Sequence, residues 1–376
     1  MFLVVMLCLE HKIQDRLGFH AYFKETSKMK ARSVVLTVAA LSVGACAIVS
    51  PAHAQTATPP AMPVSVDNFA RAETDYYFGE RVKPVGIGKL GHRRDLASID
   101  NQVVVRINRD TLYSSGVFDL DAAPVTITLP EAGKRYMSMQ IISQDHYTTH
   151  VFHGTGAHTL TRQNVGTRYA YVLVRTFVDP SSADDLKQVR ALQDAIQVSQ
   201  KEPGKFEVPQ WDAAGRKKVR DALLVLPSTV PDAKRTFGPK AEVDPVRHLI
   251  GTASGWAGLP EKETMYESFY PANADGKTVY RLTLKDVPVD GFWSVSVYNA
   301  QGFFDKNAEN AYTLNNATAK RASDGAITIQ FGGCDGGKVA NCLPVAPGWN
   351  YTVRLYQPRA EIVSGAWKFP EAQPVN

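Results

Sequence analysis

The stretch Tyr169-Ala170-Tyr171-Val172-Leu173-Val174-Arg175-Thr176-Phe177-Val178 decides the fold class. Ten residues dominated by β-branched and aromatic side chains, closed by Asp179-Pro180, predict a strand. The same signature occurs upstream at Val103 to Ile107, Val125 to Leu129 and Tyr136 to Ile142, with Pro, Gly and Asn or Asp between the runs. It returns downstream at Thr278 to Leu284, Phe292 to Tyr298, Ala326 to Phe331 and Tyr351 to Tyr356. Between the two groups the period changes. Leu186, Val189, Leu192 and Ile196 recur at helical spacing, as do Val219, Ala222, Leu223 and Leu226.

Strands, then helices, then strands, without regular βα alternation, argue against a doubly wound parallel sheet. The expected fold is mainly β with a helical connecting segment, built as two antiparallel β-sandwich-like domains. Ahead of the first strands, Asp67 is expected to cap a short helix with Phe69, Ala72 and Tyr76 on one face, ending near Gly79.

The chain has 376 residues, 44% hydrophobic and 21% charged, a globular composition that excludes disordered, collagen-like and coiled-coil chains. Its net charge of +5 suggests a nucleic-acid partner at first sight. The first 54 residues, however, carry six Lys/Arg against three Asp/Glu, and the remaining 36 basic and 34 acidic residues make too weak a field for that. No nucleic-acid partner is expected.

Those first residues read as an address. A basic start (Lys28, Lys30, Arg32), an apolar run from Ser33 to Val49 and the tripeptide Ala52-His53-Ala54 form a secretory signal peptide with an A-x-A cleavage site. Residues 1–28 are then an extension before a true start at Met29, 29–54 the signal and 55–66 a Pro/Ala/Thr tether. The first β domain is expected at 67–180, the helical segment at 181–270 and the second β domain at 271–376. Cleavage near Ala54 predicts a periplasmic or secreted protein. The alternative is a lipoprotein anchored at Cys46, from Val43-Gly44-Ala45-Cys46. Beyond residue 55 no apolar run approaches the roughly 20 residues of a membrane helix, so no transmembrane segment is expected in the mature chain. Cys8 and Cys46 fall in the leader. Cys334 and Cys342 remain, enclosing a Gly-bearing loop, and a disulfide is preferred over a metal site because no second cysteine pair accompanies them.

Familiar catalytic motifs are absent: there is no G-x-S-x-G, H-E-x-x-H or C-x-x-C. Gly86-Ile87-Gly88-Lys89-Leu90-Gly91 fits G-x-G-x-x-G, but it follows a helix rather than a strand and reads as a loop. Histidine density is the unusual feature. Four of the six histidines after the leader, His146, His150, His153 and His158, lie within thirteen residues. An extended strand over Asp145 to His153 would put His146 and His150 on one face and His153 on the other. Two imidazoles with Asp145 beside them could bind Zn²⁺ or another divalent transition metal, Asp145 serving as a third ligand or orienting one ring. Against this stands the plainer reading of half-buried, hydrogen-bonded sheet residues.

The second candidate is Asn108-Arg109-Asp110-Thr111 with Tyr113. A guanidinium, a carboxylate and a phenol near a strand end can fix a polar ligand, or can form a structural network in which Asp110 pairs with Arg109 or caps a turn. Trp293, Tyr298, Trp349, Tyr351 and Tyr356 could line a groove for a carbohydrate, but on alternating strands most large aromatics are core.

Asn108-Arg109-Asp110-Thr111-Leu112-Tyr113-Ser114, Asp119-Leu120 and Gly133-Lys134-Arg135-Tyr136 resemble the domain family of unknown function numbered 1254. Phe292-Trp293-Ser294-Val295-Ser296-Val297-Tyr298, Asn341-Cys342-Leu343-Pro344, Arg354-Leu355-Tyr356 and Gly365-Ala366-Trp367 resemble its usual partner, number 1214. The resemblance implies a β-rich, sandwich-like build and brings no settled reaction. Cys342 stands where many members carry Trp, which suggests that a disulfide replaces aromatic packing. Ser364 stands where an Asp is common before Gly365. The expected function is binding of a small polar molecule or glycan in a cleft of the first domain, by Asn108, Arg109, Asp110, Tyr113 and Asp145. A periplasmic, metal-assisted hydrolase using the same groups with His146 and His150 is the alternative. Binding is preferred because no complete catalytic constellation can be assembled.

Overall fold

The computed structural model describes residues 60–102 and 106–375. The leader with its Cys46 alternative, and Val103 to Val105 of the first expected strand, lie outside the described residues. Arg106 and Ile107, the rest of that strand, are not in a strand.

The N-terminal half comprises α1 (Phe69–Val85), β1 (Gly91–Arg93), β2 (Thr111–Asp119), β3 (Val125–Leu129), β4 (Met137–Ser143), β5 (Thr148–His153), β6 (Gly156–Leu160), α2 (Arg162–Val165), β7 (Tyr169–Phe177), α3 (Ala183–Asp194) and β8 (Gln197–Gln200). Five strands form one antiparallel sheet in the order β1-β2-β7-β4-β5, and three form a second, β6-β3-β8. One face of the larger sheet (Phe118, Met137, Met139, Ile141, Val172, Val174) packs on Val125, Ile127 and Leu129 of the smaller one. The other face (Val117, Ile142, Tyr171, Leu173) packs under Phe78 of α1 and beside Trp256. Covering both faces explains why β7 reads as a near-continuous apolar run instead of an alternating one.

Two helices follow, α4 (Ala213–Leu223) and α5 (Pro245–Ser254), capped by the carboxylates of Asp212 and Asp244. The C-terminal half contains β9 (Thr264–Phe269), β10 (Tyr280–Leu284), β11 (Trp293–Tyr298), β12 (Thr313–Asn315), β13 (Ile327–Phe331), β14 (Cys342–Leu343), β15 (Asn350–Tyr356), α6 (Ala360–Ser364) and β16 (Gln373–Pro374). They form two four-stranded sheets, β12-β11-β15-β9 and β14-β13-β10-β16, antiparallel except for the short β13–β14 pair. Val295, Val353 and Leu355 face Leu282, Ile329 and Phe331 across the sandwich. Alternation turns Ser294, Ser296 and Tyr298 of β11, and Asn350, Thr352, Arg354 and Tyr356 of β15, to the opposite face, toward the first half of the chain. The mainly β, sandwich-like expectation is met, and no helix among the described residues is long and apolar enough to cross a membrane. Cys334 and Cys342 are joined.

Several local expectations need correction. α1 runs past Gly79 to Val85, Asn68 is the residue before its first turn, and Tyr76 is exposed. Burial of Phe69, Ala72 and Phe78 offsets the cost of one interior glycine. The strand drawn through Asp145 to His153 begins only at Thr148, because β4 and β5 form a hairpin that turns with His146 at φ 65°. β8 and β9 interrupt the segment read as helical; each is short, and each is a strand because it adds to an existing sheet. The G-x-G-x-x-G stretch leaves α1 and reaches β1 as a loop, as expected.

Candidate functional site

A cleft of about 420 Å³ opens between the two halves of the chain and the helical segment that joins them. Its walls differ in character. Pro227, Val230, Phe237, Ile250 and Trp256 of the connecting segment make one side apolar. The sheets supply the other: Thr111 and Tyr113 of β2, Arg175 of β7, Tyr266 and Ser268 of β9, and Thr352, Arg354 and Tyr356 of β15, with Arg106 and Asn108 from the loop before β2.

Asn108 knits this polar wall together. Its Oδ1 accepts the Asp110 backbone N–H at 2.8 Å, which leaves Nδ2 as the donor to Thr111 Oγ1 (2.9 Å), Tyr356 OH (3.1 Å) and Tyr113 OH (3.3 Å). The two Nδ2 hydrogens are shared among these three oxygens, and a phenol that accepts one keeps its O–H hydrogen for a ligand. Burial holds the pKa of Tyr356 well above its ordinary value, and burial raises that of Tyr266 as well, so both stay neutral donors. Tyr266 is 40% exposed, but that exposed surface is the cleft wall, and protein surrounds it.

Of the five arginines that line the cleft, the three on the polar wall have different balances. Arg354 donates to Arg106 O (2.7 Å), Tyr298 OH (2.8 Å) and Ser296 Oγ (3.0 Å), and its charge lies close to Asp110. Arg106 donates to Asn350 Oδ1 (2.7 Å), Thr352 Oγ1 (2.8 Å) and Tyr270 OH (2.8 Å). Arg175 is only 6% exposed. It donates to two neutral acceptors, Gln140 Oε1 at 2.7 Å and Ala257 O at 2.9 Å, and lies over the Tyr113 ring. Among the described residues it has no carboxylate partner.

The sequence candidates divide. Asn108 and Tyr113 line the cleft. Arg109 points away, donating to the Ala97 carbonyl with its guanidinium over the Tyr312 ring. Asp110 is fully buried and accepts from Asn315 Nδ2 (3.1 Å) and Thr313 Oγ1 (3.2 Å), fastening the start of β2 to β12. Burial raises its pKa against the lowering effects of Asn315 and Arg354. Asp145 forms a half-exposed pair with Arg71 at 2.7 Å.

The histidines are held by protein groups. His146 Nε2 accepts the Ala257 N–H at 2.9 Å, so Nδ1 carries the hydrogen and donates to Thr252 Oγ1 at 2.9 Å. Neither nitrogen has a lone pair left for a metal. His150 bonds Thr149 Oγ1 and stacks on Phe152, while His153 bonds Glu263 Oε2 at 2.7 Å. Among the described residues no three His, Cys, Asp or Glu side chains converge where a metal ion could sit. The donor set does not fit the divalent metal read from the spacing, because the hairpin turn takes His146 off the strand that was to carry both imidazoles.

Arg175, Arg354, Tyr266 and the apolar wall were missed as site residues. One signal was available: Arg175 is the lone charge inside the apolar run from Tyr169 to Val178, and a buried charge calls for a partner. Of the aromatics, Trp293, Trp349 and Tyr351 are core, whereas Tyr356 reaches the cleft from the opposite face.

Residues 87–164 match the family model described as "Protein of unknown function (DUF1254)". Residues 271–360 match the one described as "Protein of unknown function (DUF1214)". The first match contains Asn108 and Tyr113, the second Thr352, Arg354 and Tyr356, so one wall of the cleft is built from both, while Arg175 and the apolar wall fall outside them. Among solved structures, the VPA0106 protein from Vibrio parahaemolyticus is 19% identical, with a TM-score of 0.66 over 83% of this chain and 98% of that one, a likeness of fold. An uncharacterized protein from Burkholderia cenocepacia is 14% identical, with a TM-score of 0.47 over 82% of this chain and 88% of that one. No curated protein matches the chain.

Proposed function

We propose that the protein binds a small amphiphilic anion in the cleft between its two β halves, its acidic group meeting Arg175 and the phenols of Tyr113, Tyr266 and Tyr356. The observation that carries this reading is Arg175 itself. A guanidinium enclosed without a carboxylate partner is costly, and an anionic ligand offsets that cost with charge-assisted hydrogen bonds. The apolar wall opposite favours an alkyl or aryl body over the glycan suggested by the sequence.

Recognition fits this wall better than hydrolysis. The carboxylates on it, Asp95 and Asp232, are paired with Arg190 and Arg247, and no imidazole or thiol lines it among the described residues. We place the protein outside the cytoplasm, a reading supported by the Cys334–Cys342 bond and the leader sequence.

The test is thermal unfolding with a panel of alkyl and aryl monocarboxylates, on the natural protein and on Arg175→Met. Ligand at about 100 times its Kd is expected to stabilise the natural protein by about 2.7 kcal/mol and the variant far less. Equal stabilisation of both proteins, or of neither, refutes the reading.

A further inference from the structure

A second cavity of about 470 Å³ adjoins the cleft. The two share Arg106, Asp232, Ala233, Phe237, Tyr266 and Ser268, so the second continues the first past the Phe237 and Tyr266 rings. Phe237, Leu259, Met265 and Phe269 give its walls apolar surface, the last two also packing against the C-terminal sandwich core. Tyr266 and Tyr270, at 40% and 43% exposed, are large aromatic residues left open on this wall. Charges frame it instead of filling it. Arg106, at the junction, is held by Tyr270 OH, Asn350 and Thr352, while Lys234, Glu261 and Glu267 lie beyond the junction.

We infer that the bound anion is an elongated aliphatic monocarboxylate, whose headgroup meets Arg175 and whose chain passes Tyr266 into the channel beside β9. This rests on the anion-binding reading above and adds the length of the ligand. Arg175 and the phenols gather at one end, and apolar surface continues along two joined chambers, with Lys234, Glu261 and Glu267 among the lining of the second. That pattern matches one acidic group on a long flexible chain. A glycan would need hydrogen-bonding groups throughout, and a compact aryl acid would leave the second chamber unfilled.

Titration calorimetry with butanoate, octanoate and dodecanoate below their micelle concentrations tests the inference. The Kd is expected to fall by about threefold per added methylene, with the gain continuing from octanoate to dodecanoate as the chain enters the second chamber. In Leu259→Trp, which fills that chamber, the gain from octanoate to dodecanoate is expected to disappear. Lys234→Trp, at a less buried position on the same wall, gives the same readout should the first variant fold poorly. A gain that stops at octanoate in the natural protein, or persists to dodecanoate in both variants, overturns the elongated ligand while leaving the anion site intact. Equal dodecanoate binding by natural protein and Arg175→Met overturns the headgroup contact on which the inference rests. Absence of binding by all three acids overturns both.

Discussion

His146 Nε2 accepts the backbone N–H of Ala257 at 2.9 Å, and the carbonyl of that same residue accepts Arg175 at 2.9 Å. Ala257 sits at φ 65°, a left-handed conformation that a non-glycine residue keeps only when its neighbours hold it. A fully enclosed imidazole in the β4–β5 hairpin thus holds, through its backbone N–H, the residue whose carbonyl positions the guanidinium of Arg175. Thr252 Oγ1 completes the chain, accepting from His146 and donating to His248 O.

His146→Leu is expected to lower stability by about 1–3 kcal/mol, because it leaves the Ala257 N–H without its acceptor. His146→Gln, whose amide oxygen can take the place of Nε2, is expected to lose less. Urea denaturation measures the stability. Carboxylate affinity should follow the same order, since the Ala257 carbonyl that accepts Arg175 is no longer held through the N–H of its own residue. Equal effects of the two substitutions would mean that the imidazole acts only as filler.

The same residue sets a pH dependence. Burial, followed by the nearby His248, holds the pKa of His146 well below its ordinary 6.5, and burial lowers that of His248 too. Between the folded and unfolded values the unfolded chain binds the extra proton, so folding stability is fully present above pH 6.5 and falls as the pH drops below it. A difference of one whole bound proton gives a slope of about 1.4 kcal/mol per pH unit, the upper limit for His146. Denaturation midpoints taken between about pH 7 and pH 5 should fall accordingly, and His146→Gln should flatten the curve.

Asn108→Ala removes the donor shared by Tyr113 and Tyr356 and strands the Asp110 N–H. A loss of about 1–3 kcal/mol is expected. Because Tyr113 belongs to β2 and Tyr356 to β15, the substitution should also loosen one half of the chain from the other. Hydrogen exchange in β2 and β15 would register this as faster exchange in both strands, whereas a purely local defect would quicken β2 alone.

Protein recovered from the periplasm of an expressing bacterium should begin at Gln55 and carry the Cys334–Cys342 bond. N-terminal sequencing and non-reducing mass spectrometry check both. A mature start at a lipidated Cys46 would contradict the cleavage site. Substituting both cysteines with serine should cost less than the roughly 3 kcal/mol associated with a 15-residue loop, because eight positions separate the pair.

The sequence by itself determined the strand-rich halves, the helices between them and the cysteine pair. These follow from local signals: β-branched runs, the helical period from Leu186 to Ile196, and two cysteines either side of a short loop. Asn108 and Tyr113 were legible too, through the motif that holds them. Strands such as β8 and β9 were not, because a segment so short becomes a strand only when an existing sheet offers it an edge. Where the other candidate residues lie relative to the cleft was likewise decided by tertiary structure. β5 begins at Thr148, three residues after the expected start at Asp145, and the hairpin turn at His146 sent that ring to Ala257 instead of to His150. Arg175 and Tyr356 lie 181 positions apart in the chain and share a wall because two sheets and a helical segment close around one space. No periodicity within either strand encodes that meeting: the distance between the two side chains is fixed by how the sheets pack, and packing is a property of the whole folded chain.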